Sequence, residues 1–508
     1  KMKAPPQTII LMSPNHYAVG SQSIQIYEGE LTSEYGSLNT DSEVIDIVEL
    51  LGGTVENNNF YREHGIRVML PDLRRAFPDV PIVPLMVSDR ISQNRIDEFT
   101  TQLHSQCDQC LLIASADMSH YQPYELSELH DRLTIRELME RDRSSFTDDK
   151  QLAEVGPPHI MSAALLWAEL SDHQQFDLFM HTNSVAIDKT YYAEGTTHVM
   201  GWYQKGDQQQ PENRVSFTLA GDIMFDGAIA DNYQDSGFVE AFGLFGDRVL
   251  WGTDLVAANL EGPITDKPKL EAAGDAPRFA FNPSAITALH YLHFNALNIQ
   301  NNHSLDAGEA GLADTKDHLR SAGIEAVDFG NEPFIVEGRG LKLATFFVDV
   351  QTDNSAVVES IKRWSADSNI RVLVFAHWGL ERQAKHGPIQ EAAAHAWIDA
   401  GADLVVGTGP HVIQDAEVYQ GKPIIYSLGN ILFDQVEKPE TAQSLILAGE
   451  FTQDGLTLLP MLTKQQGLQP VLQRSSEADN EIMERLGELK PFEVDGYGGV
   501  RLEFNHIQ

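Results

Sequence analysis

The stretch 215–222, VSFTLAGD, is an apolar run closed by Gly221 and Asp222, and four later stretches repeat its form: LVAANLEG (255–262), FNALNIQNNH (294–303), VLVFAHWG (372–379) and ADLVVGTGPH (402–411). Each run is short, rich in Val, Ile, Leu and Ala, and bounded by Gly, Asn or Pro, which suits a strand buried on both faces. Asp222, Asn259, Glu261, Asn302, His303, His377 and His411 then stand at strand ends. In open α/β sheets ligands bind in the crevice outside the carboxyl ends of the strands, so side chains spread from 222 to 411 can meet. The expected fold class is therefore α/β.

Taken singly, an Asp or Asn after a strand is usually a turn or helix cap, because its short side chain bonds nearby backbone N–H groups. Five successive strand-like segments ending in Asp, Asn/Glu, Asn-His, His and His are hard to obtain from capping preferences. Mixed carboxylate, amide and imidazole donors suit Mn, Fe, Zn or Mg. One or two divalent ions are expected, with Asp222, Asn259, Glu261, Asn302, His377 and His411 as ligands. Two ions about 3.5–4 Å apart can hold both the attacking hydroxide and the departing oxygen of a phosphoryl group. Asp222 is the candidate bridge between them. His303, next to Asn302, is the candidate catalytic residue that protonates the leaving group or steadies developing charge.

GDIMF (221–225), NLEGPIT (259–265), NNHSLDAGEAGLADT (301–315), HWGLE (377–381), GADLVVGTGPHVIQ (401–414) and YSLGNILFD (426–434) together resemble the bacterial capsule-synthesis CapA family, associated with poly-γ-glutamate. The resemblance implies a calcineurin-like metallophosphatase fold, a layered β sheet flanked by helices with a two-metal crevice. The family usually reads Gly-Ser-His-Pro-His where this chain reads Gly407, Thr408, Gly409, Pro410, His411, so one imidazole is absent. Restoring it with Gly409→His is expected to raise metal stoichiometry or affinity.

At 508 residues the chain predicts two domains. Residues 204–214, within YQKGDQQQPENR (203–214), carry no apolar residue and are rich in Gln, Pro, Gly and charge, as a linker is. The expected domains are 1–203 and 215–508. Within 438–508, LILAGEFT and LTLLPML are expected to be edge strands of the second domain and ADNEIMERLGELK its closing helix.

The first 203 residues alternate strand-like TIILMSPNH, VPIVPLMVSD and CLLIASADMSH with segments of helical spacing: SEVIDIVELL, GIRVMLPDLRRAF, RIDEFTTQLHSQ and HDRLTIRELMERD. Polar residues again follow strands: Asn15 and His16, Asp117 and His120, with Glu63 and His64 at a helix start. Glu63 alone reads as a favourable charge near a helix N-terminus. SPNHY, EHGIRVMLP, ASADMSHY, GPPHIMSAALLWA and HTNSVAIDKTYYAEGTTHVMGWY resemble the Memo-like family, also called AmmeMemoRadiSam system protein B. That family is similar in fold to class III extradiol dioxygenases, which hold one non-haem Fe(II) with two His and a carboxylate. By the resemblance His16 is a metal-ligand position, and Glu63, His64, Asp117 and His120 line the same crevice. Ala186 falls where relatives carry a coordinating Cys or Asp, and the family's upstream Pro-His strand is not in the sequence. The ligand count predicts a polar crevice with at most a weakly held ion; the missing strand is expected to mean either a chain excised from a longer one, which a first residue other than Met favours, or a degenerate domain.

The formal charge is −38, from 36 Lys plus Arg against 74 Asp plus Glu, with no basic cluster longer than Leu73-Arg74-Arg75. Nucleic acid and anionic membranes are poor partners for such a surface. A bulk polyglutamate chain is repelled too unless bound cations invert the local sign. No apolar run reaches the roughly 18 residues that span a bilayer. The only cysteines, Cys107 and Cys110, are a local disulfide, which an oxidising compartment favours, a reduced structural pair, or a redox motif, against which stands that nothing else in the chain resembles a thioredoxin. An extracytoplasmic location, with any anchor upstream, is the expectation. Two functional classes fit: a metal-dependent hydrolase of a phosphoester or anionic polymer linkage, or a non-catalytic component of the same machinery. A Memo-like metal oxidoreductase in the first domain is the remaining alternative.

Overall fold

The structure is a computed structural model describing residues 5–107, 109–147, 153, 155–207, 211–271, 277–327, 331–350, 355–494 and 496–505. Residues 208–210 of the expected linker and the first four of the expected first domain lie outside the described residues. Two compact units are present: Lys1–His120 with Thr134–Thr182 and Thr197–Pro211, and Tyr121–Leu133 with Asn183–Thr196 and Glu212–Gln508. Both are α/β.

In the first unit β1 (Thr8–Pro14), β2 (Ile24–Ile26), β3 (Thr54–Val55), β4 (Ile82–Val87) and β5 (Cys110–Ala114) form a sheet in the order β3-β2-β4-β1-β5. The strand period of two sorts its residues to opposite faces. Ile10, Met12, Val83, Leu85 and Val87 pack with α1 (Ser42–Leu50), α2 (Gln93–Gln106) and α3 (Pro158–Leu170). Ile9, Leu11, Ile82 and Met86 instead face Phe60, Ile66, Leu70 and Leu73. The Asp41 carboxylate caps α1 by accepting from the Glu43 and Val44 amides, and the Ser92 hydroxyl caps α2 at Arg95. The single helix expected over 65–77 is broken into His64–Arg67 and Leu70–Ala76. Pro71 explains the break: it lacks an N–H and restricts the residue before it, so it starts the second helix instead of continuing the first. Cys107 and Cys110 are disulfide-bonded. A second sheet, of three strands, orders β6 (His120–Gln122), β8 (Gly195–Gln204) and β7 (Gln175–Asn183) with β8 central.

The second unit is built on two stacked sheets. One contains, along its path, β12 (Glu325–Val327), β11 (Ala296–Asn298), β10 (Leu255–Leu260), β9 (Arg214–Ile223), β20 (Gln443–Thr452), β21 (Gly455–Gln466), β24 (Val500–Asn505) and β23 (Phe492–Val494). Off that path β19 (Asn430–Leu432) pairs with β9 and β22 (Gln469–Leu472) with β21. The other orders β13 (Phe334–Glu337), β14 (Lys342–Asp349), β15 (Ile370–His377), β16 (Leu404–Thr408), β18 (Lys422–Ile425) and β17 (Ala416–Tyr419). Phe217, Leu219, Ala257 and Leu447 from the first sheet share one core with Leu343, Phe347, Phe375 and Val406 from the second. The opposite faces are covered by helices. Val256, Ala258 and Leu297 meet α4 (Ile286–Tyr291) and α5 (Gly308–Ser321) through Leu289, Leu312 and Leu319. Phe346, Val374 and Val405 meet α6 (Ser355–Trp364) and α7 (Pro388–Asp399) through Ile361 and Trp397. The layers run helix, sheet, sheet, helix.

Two expectations need correction. The site-bearing strands do not lie in one open sheet: β9, β10 and β11 belong to one, β15 and β16 to the other. Nor are 443–466 edge strands. β20 lies antiparallel between β9 and β21, with eight consecutive buried residues, because the apolar stretch Leu445 to Ala448 presents side chains to both faces and is satisfied only inside a sheet covered on both. The closing helix is α8 (Ser476–Arg485), which places Ala478 and Ile482 in the inter-sheet core. No helix among the described residues is long and apolar enough to cross a membrane.

Candidate metal centre

Parallel pairing fixes the site. Asp222 of β9 stands in register with Asn259 of β10, which stands in register with Asn298 of β11. In the facing sheet His377 of β15 is in register with Thr408 of β16. The two rows end on the same cluster. Asp222 reaches it through an irregularity after Leu219, at Gly221, where a Cβ would lie 1.8 Å from the Gly429 carbonyl oxygen. Only glycine permits that approach.

Asp222 is wholly buried and its carboxylate is fully engaged: Oδ1 accepts from Asn259 Nδ2 at 2.9 Å and Oδ2 from the Gly409 amide at 3.0 Å. His411 Nδ1 lies 3.5 Å from Oδ2 and His377 Nδ1 3.8 Å from Oδ1. Burial alone would raise this carboxyl, but His411, His377 and the Gly409 N–H hold it below the usual range. Glu261 is the opposite case. It is equally buried, both its oxygens lack a hydrogen-bond partner, and burial pushes its carboxyl well above the usual range despite His411 Nε2 at 3.5 Å. Burial opposes a charge on His411, yet Glu261 and Asp222 raise the ring to about 10. Burial lowers His377 to about 4.

Asp222, Glu261 and His411 offer one donor atom each within 4.8 Å of one another. A buried carboxylate with neither oxygen hydrogen-bonded is costly. A divalent cation among these three donors removes that cost, so the residues present fit a metal. His411 adopts φ +61°, uncommon for a side-chain-bearing residue, and its Nδ1 lies 3.0 Å from Asn430 Oδ1. That backbone conformation aims Nε2 at Glu261.

The other expected residues form a hydrogen-bonded surround. Asn259 Oδ1 accepts from both Asn298 and Asn301, while its Nδ2 faces His377 Nδ1 at 3.2 Å. His377 Nε2 lies 3.0 Å from Asn302 Oδ1. A neutral His377 ring carrying its proton on Nε2 satisfies both contacts. His303 turns Nδ1 to Asp306 at 2.7 Å and Nε2 towards Glu261 at 3.9 Å. Asp306 is fully buried and also receives Arg278 Nη1 and the Phe279 amide. The Phe279 ring lies against His303 and the Phe433 ring against His411, lining one side with apolar surface. Asp306, Asn298, Asn301 and Asn430 were not among the residues expected from sequence. The His-x-x-Asp spacing of 303 and 306 was the available signal for the first.

Gly409 corrects an expectation. Its φ is +106°, and a Cβ there would lie 2.6 Å from the Trp378 carbonyl oxygen and 3.0 Å from the Trp378 nitrogen. The position supplies an amide to Asp222 and has no room for an imidazole.

In the first unit His16 lies between two carboxylates, with Nδ1 2.6 Å from Glu63 Oε1 and Nε2 3.1 Å from Asp117 Oδ2. His64 approaches the same pair, 3.8 Å from Glu63 and 4.0 Å from Asp117, with its ring 4.0 Å from that of His16. Glu63 also accepts from the Gly65 amide, so it caps its helix as well. His120 Nδ1 lies 2.8 Å from the Met118 carbonyl oxygen. His16, Glu63 and His64 each offer one donor to a common point. Ala186 lies in the short helix Ser184–Asp188, grouped with the second unit. Burial opposes a charge on His16, but Asp117 and Glu63 raise it to about 9, and His16 in turn lowers both carboxyls. The imidazole therefore contributes stability that is complete below its ordinary value near 6.5 and lost as pH rises through about 9. NMR titration of His16 should show that raised midpoint, and His16→Gln should abolish the alkaline loss. A midpoint near 6.5 would rule out the paired arrangement.

Residues 216–435 match the family model for the bacterial capsule synthesis protein PGA_cap. That span carries every residue of the second-unit cluster, and residues 1–192 match the model for Memo-like protein. Both resemblances drawn from the motifs are borne out. The chain is 29% identical over 244 residues to a PGA biosynthesis protein CapA of Bacillus subtilis, covering 44% of this chain and 64% of the relative. It is 30% identical over 269 residues to a capsule biosynthesis protein CapA of Bacillus anthracis, covering 46% and 64%. On the other side it is 31% identical over 144 residues to a MEMO1 family protein of Saccharolobus solfataricus, covering 27% and 51%. The chain thus spans 64% of the length of the two CapA relatives.

Proposed function

We propose that the PGA_cap-like unit is a metal-dependent hydrolase of a phosphoester or related anionic linkage, serving cell-surface polymer synthesis of the capsule type. The observation that carries the reading is Glu261, a buried carboxylate with neither oxygen hydrogen-bonded, beside Asp222 and His411. Those three residues would hold one divalent ion, and a bound ion would acidify a coordinated water and polarise a phosphoryl oxygen. The remaining residues orient. Asp306 pins His303 Nδ1, leaving Nε2 facing the cluster to give a proton to a departing oxygen. Phe279 and Phe433 exclude water along one side, which strengthens each polar contact there. The Cys107–Cys110 bond supports an oxidising, extracytoplasmic setting. The domain boundary at 204–214 belongs to the same proposal, and limited proteolysis should cut there first.

Asp222→Ala should abolish binding of Mn or Zn, measured by calorimetry and metal analysis. His303→Ala should keep the metal but slow hydrolysis of an activated phosphodiester by about 10²–10⁴. Full metal content in the Asp222 variant would end the assignment. The lack of room for a second imidazole at Gly409 favours a second reading, a one-ion binding component without turnover. Stoichiometric metal with no hydrolysis in the wild type would select it.

In the first unit, by contrast, both ring nitrogens of His16 are taken up by Glu63 and Asp117, so we expect that the purified chain neither retains Fe(II) at His16 nor consumes oxygen with catechol-type substrates. A strong anomalous peak at the iron edge beside His16 would overturn that expectation.

A further inference from the structure

The segments that border His303 leave two large apolar side chains in contact with solvent. Leu305 stands between His303 and Asp306 in sequence and is 40% accessible. Leu270, 50% accessible, is fixed beside the same turn: its amide donates to the Asp306 carbonyl at 2.7 Å, and its methyl groups lie 3.9 Å from where a Gly308 Cβ would stand. The half-buried Phe279 ring, whose centroid is 4.5 Å from that of His303, continues the apolar surface inwards. Single exposed leucines are ordinary. These two are set apart by the charge around them. The segment 263–281 carries three basic residues, and each is already met by a carboxylate: Lys267 by Asp314 at 4.0 Å, Lys269 by Asp226 at 2.6 Å and Arg278 by Asp306 at 2.6 Å.

We infer that the substrate of the PGA_cap-like unit is a phosphoryl group esterified to an aliphatic alcohol, whose chain lies across Leu270, Leu305 and Phe279. The inference rests on the hydrolase reading, because His303 as proton donor fixes where the leaving oxygen stands. His303 Nε2 faces the cluster, 3.9 Å from Glu261, so an oxygen within its reach carries its substituent out past the side chains that border His303. An anionic substituent would find no free cation on the segment 263–281 and would meet the repulsion of a chain of net charge −38. An aliphatic substituent instead removes apolar surface from water, and each methylene fully covered tightens binding about fourfold. Sites for small organic groups are mostly apolar, with a few polar groups that orient the ligand. Here the phosphoryl group takes the polar contacts at Asp222, Glu261 and His411, and the alcohol takes the apolar lip.

Calorimetry on the Mn-loaded full chain with ethylphosphonate, hexylphosphonate and 6-phosphonohexanoate tests the inference without turnover. The kcat/KM values for ethyl and hexyl phosphate, whose leaving alcohols are of similar acidity, test it with turnover. Hexyl should exceed ethyl by at least about tenfold in both, since an open lip covers the chain only in part. The carboxylate-ended probe should bind no tighter than ethylphosphonate. Leu270→Lys and Leu305→Lys, both at exposed positions, should each bring the hexyl-to-ethyl ratio close to one, while Val494→Lys, at an exposed position on β23, should leave the ratio as in the wild type. Equal binding of hexyl- and ethylphosphonate, a preference for the carboxylate-ended probe, or a ratio that neither leucine variant moves would overturn the inference even where an activated phosphodiester is hydrolysed. A hexyl preference that both leucine variants abolish, with no hydrolysis of any ester, would sustain it and overturn the hydrolase reading alone.

Discussion

Gly409→His is expected to unfold the second unit's strand-end cluster and abolish metal binding, not to restore a missing ligand. Two costs add. Position 409 sits at φ +106°, where a side chain is strained by about 1–3 kcal/mol. Its Cβ would lie 2.6 Å from the Trp378 carbonyl oxygen, and relieving such overpacking costs about 1–3 kcal/mol more. Backbone movement would also withdraw the amide that Asp222 accepts at 3.0 Å. Gly409→Ala should already lower the unfolding temperature of that unit, followed by calorimetry because a two-unit chain need not unfold in one step. Gly467→Ala separates the two costs: its φ is +66° with nothing within 4 Å of the added carbon, so it bears strain without collision. Equal effects at 409 and 467 would show that Trp378 yields freely, and a gain in metal affinity with Gly409→His would refute the steric account.

The strands carrying Asp222, Asn259, His377 and Thr408 were legible because each is an apolar run followed at once by a polar residue. That pattern records burial on both faces and a functional end. It does not record which sheet a run joins. Phe217 and Phe375 face the same inter-sheet core although they belong to different sheets, and periodicity of two is identical in either arrangement. The position of β20 was hidden for the same reason: an apolar strand near the C-terminus reads alike at an edge or in the middle. At the site, Asp222, Glu261 and His411 could be named from residue type. The division of labour could not. Asn259 looks like a ligand in sequence, but its oxygen is taken by Asn298 and Asn301, a fact of register. Asp306 lies three residues from His303 in a segment without regular structure, so its orienting contact depends on a turn that apolar spacing does not report. In the first unit Glu63 was read both as a cap and as a crevice residue, and it does both.

Glu261→Gln should change stability in opposite directions with and without metal. In the metal-free protein the wild-type carboxylate is buried with neither oxygen hydrogen-bonded, and burial raises its pKa well above 4.5. A carboxyl whose folded value is raised gives stability that is complete below the unfolded value, near 4.5, and lost as pH rises through the folded value. The amide keeps the shape and leaves similar polar atoms unpaired, but it cannot ionise. With chelator present, variant and wild type should unfold at similar temperatures near pH 4. The variant should become the more stable by at least about 1 kcal/mol towards neutral pH, the order of an uncompensated buried polar group. With metal at a hundredfold excess over Kd the wild type should gain about 2.7 kcal/mol. The variant has lost one of the two anionic donors and should gain far less, so the order reverses. Thermal unfolding of both proteins across pH 4–8, with chelator and then with Mn or Zn, gives all four values. If the wild type is the more stable with chelator at neutral pH, the imidazoles of His411 and His303 already compensate Glu261 and it is not held in wait for a cation. If the two proteins gain equally from metal, the ion is held elsewhere, and the assignment of Asp222, Glu261 and His411 falls with it.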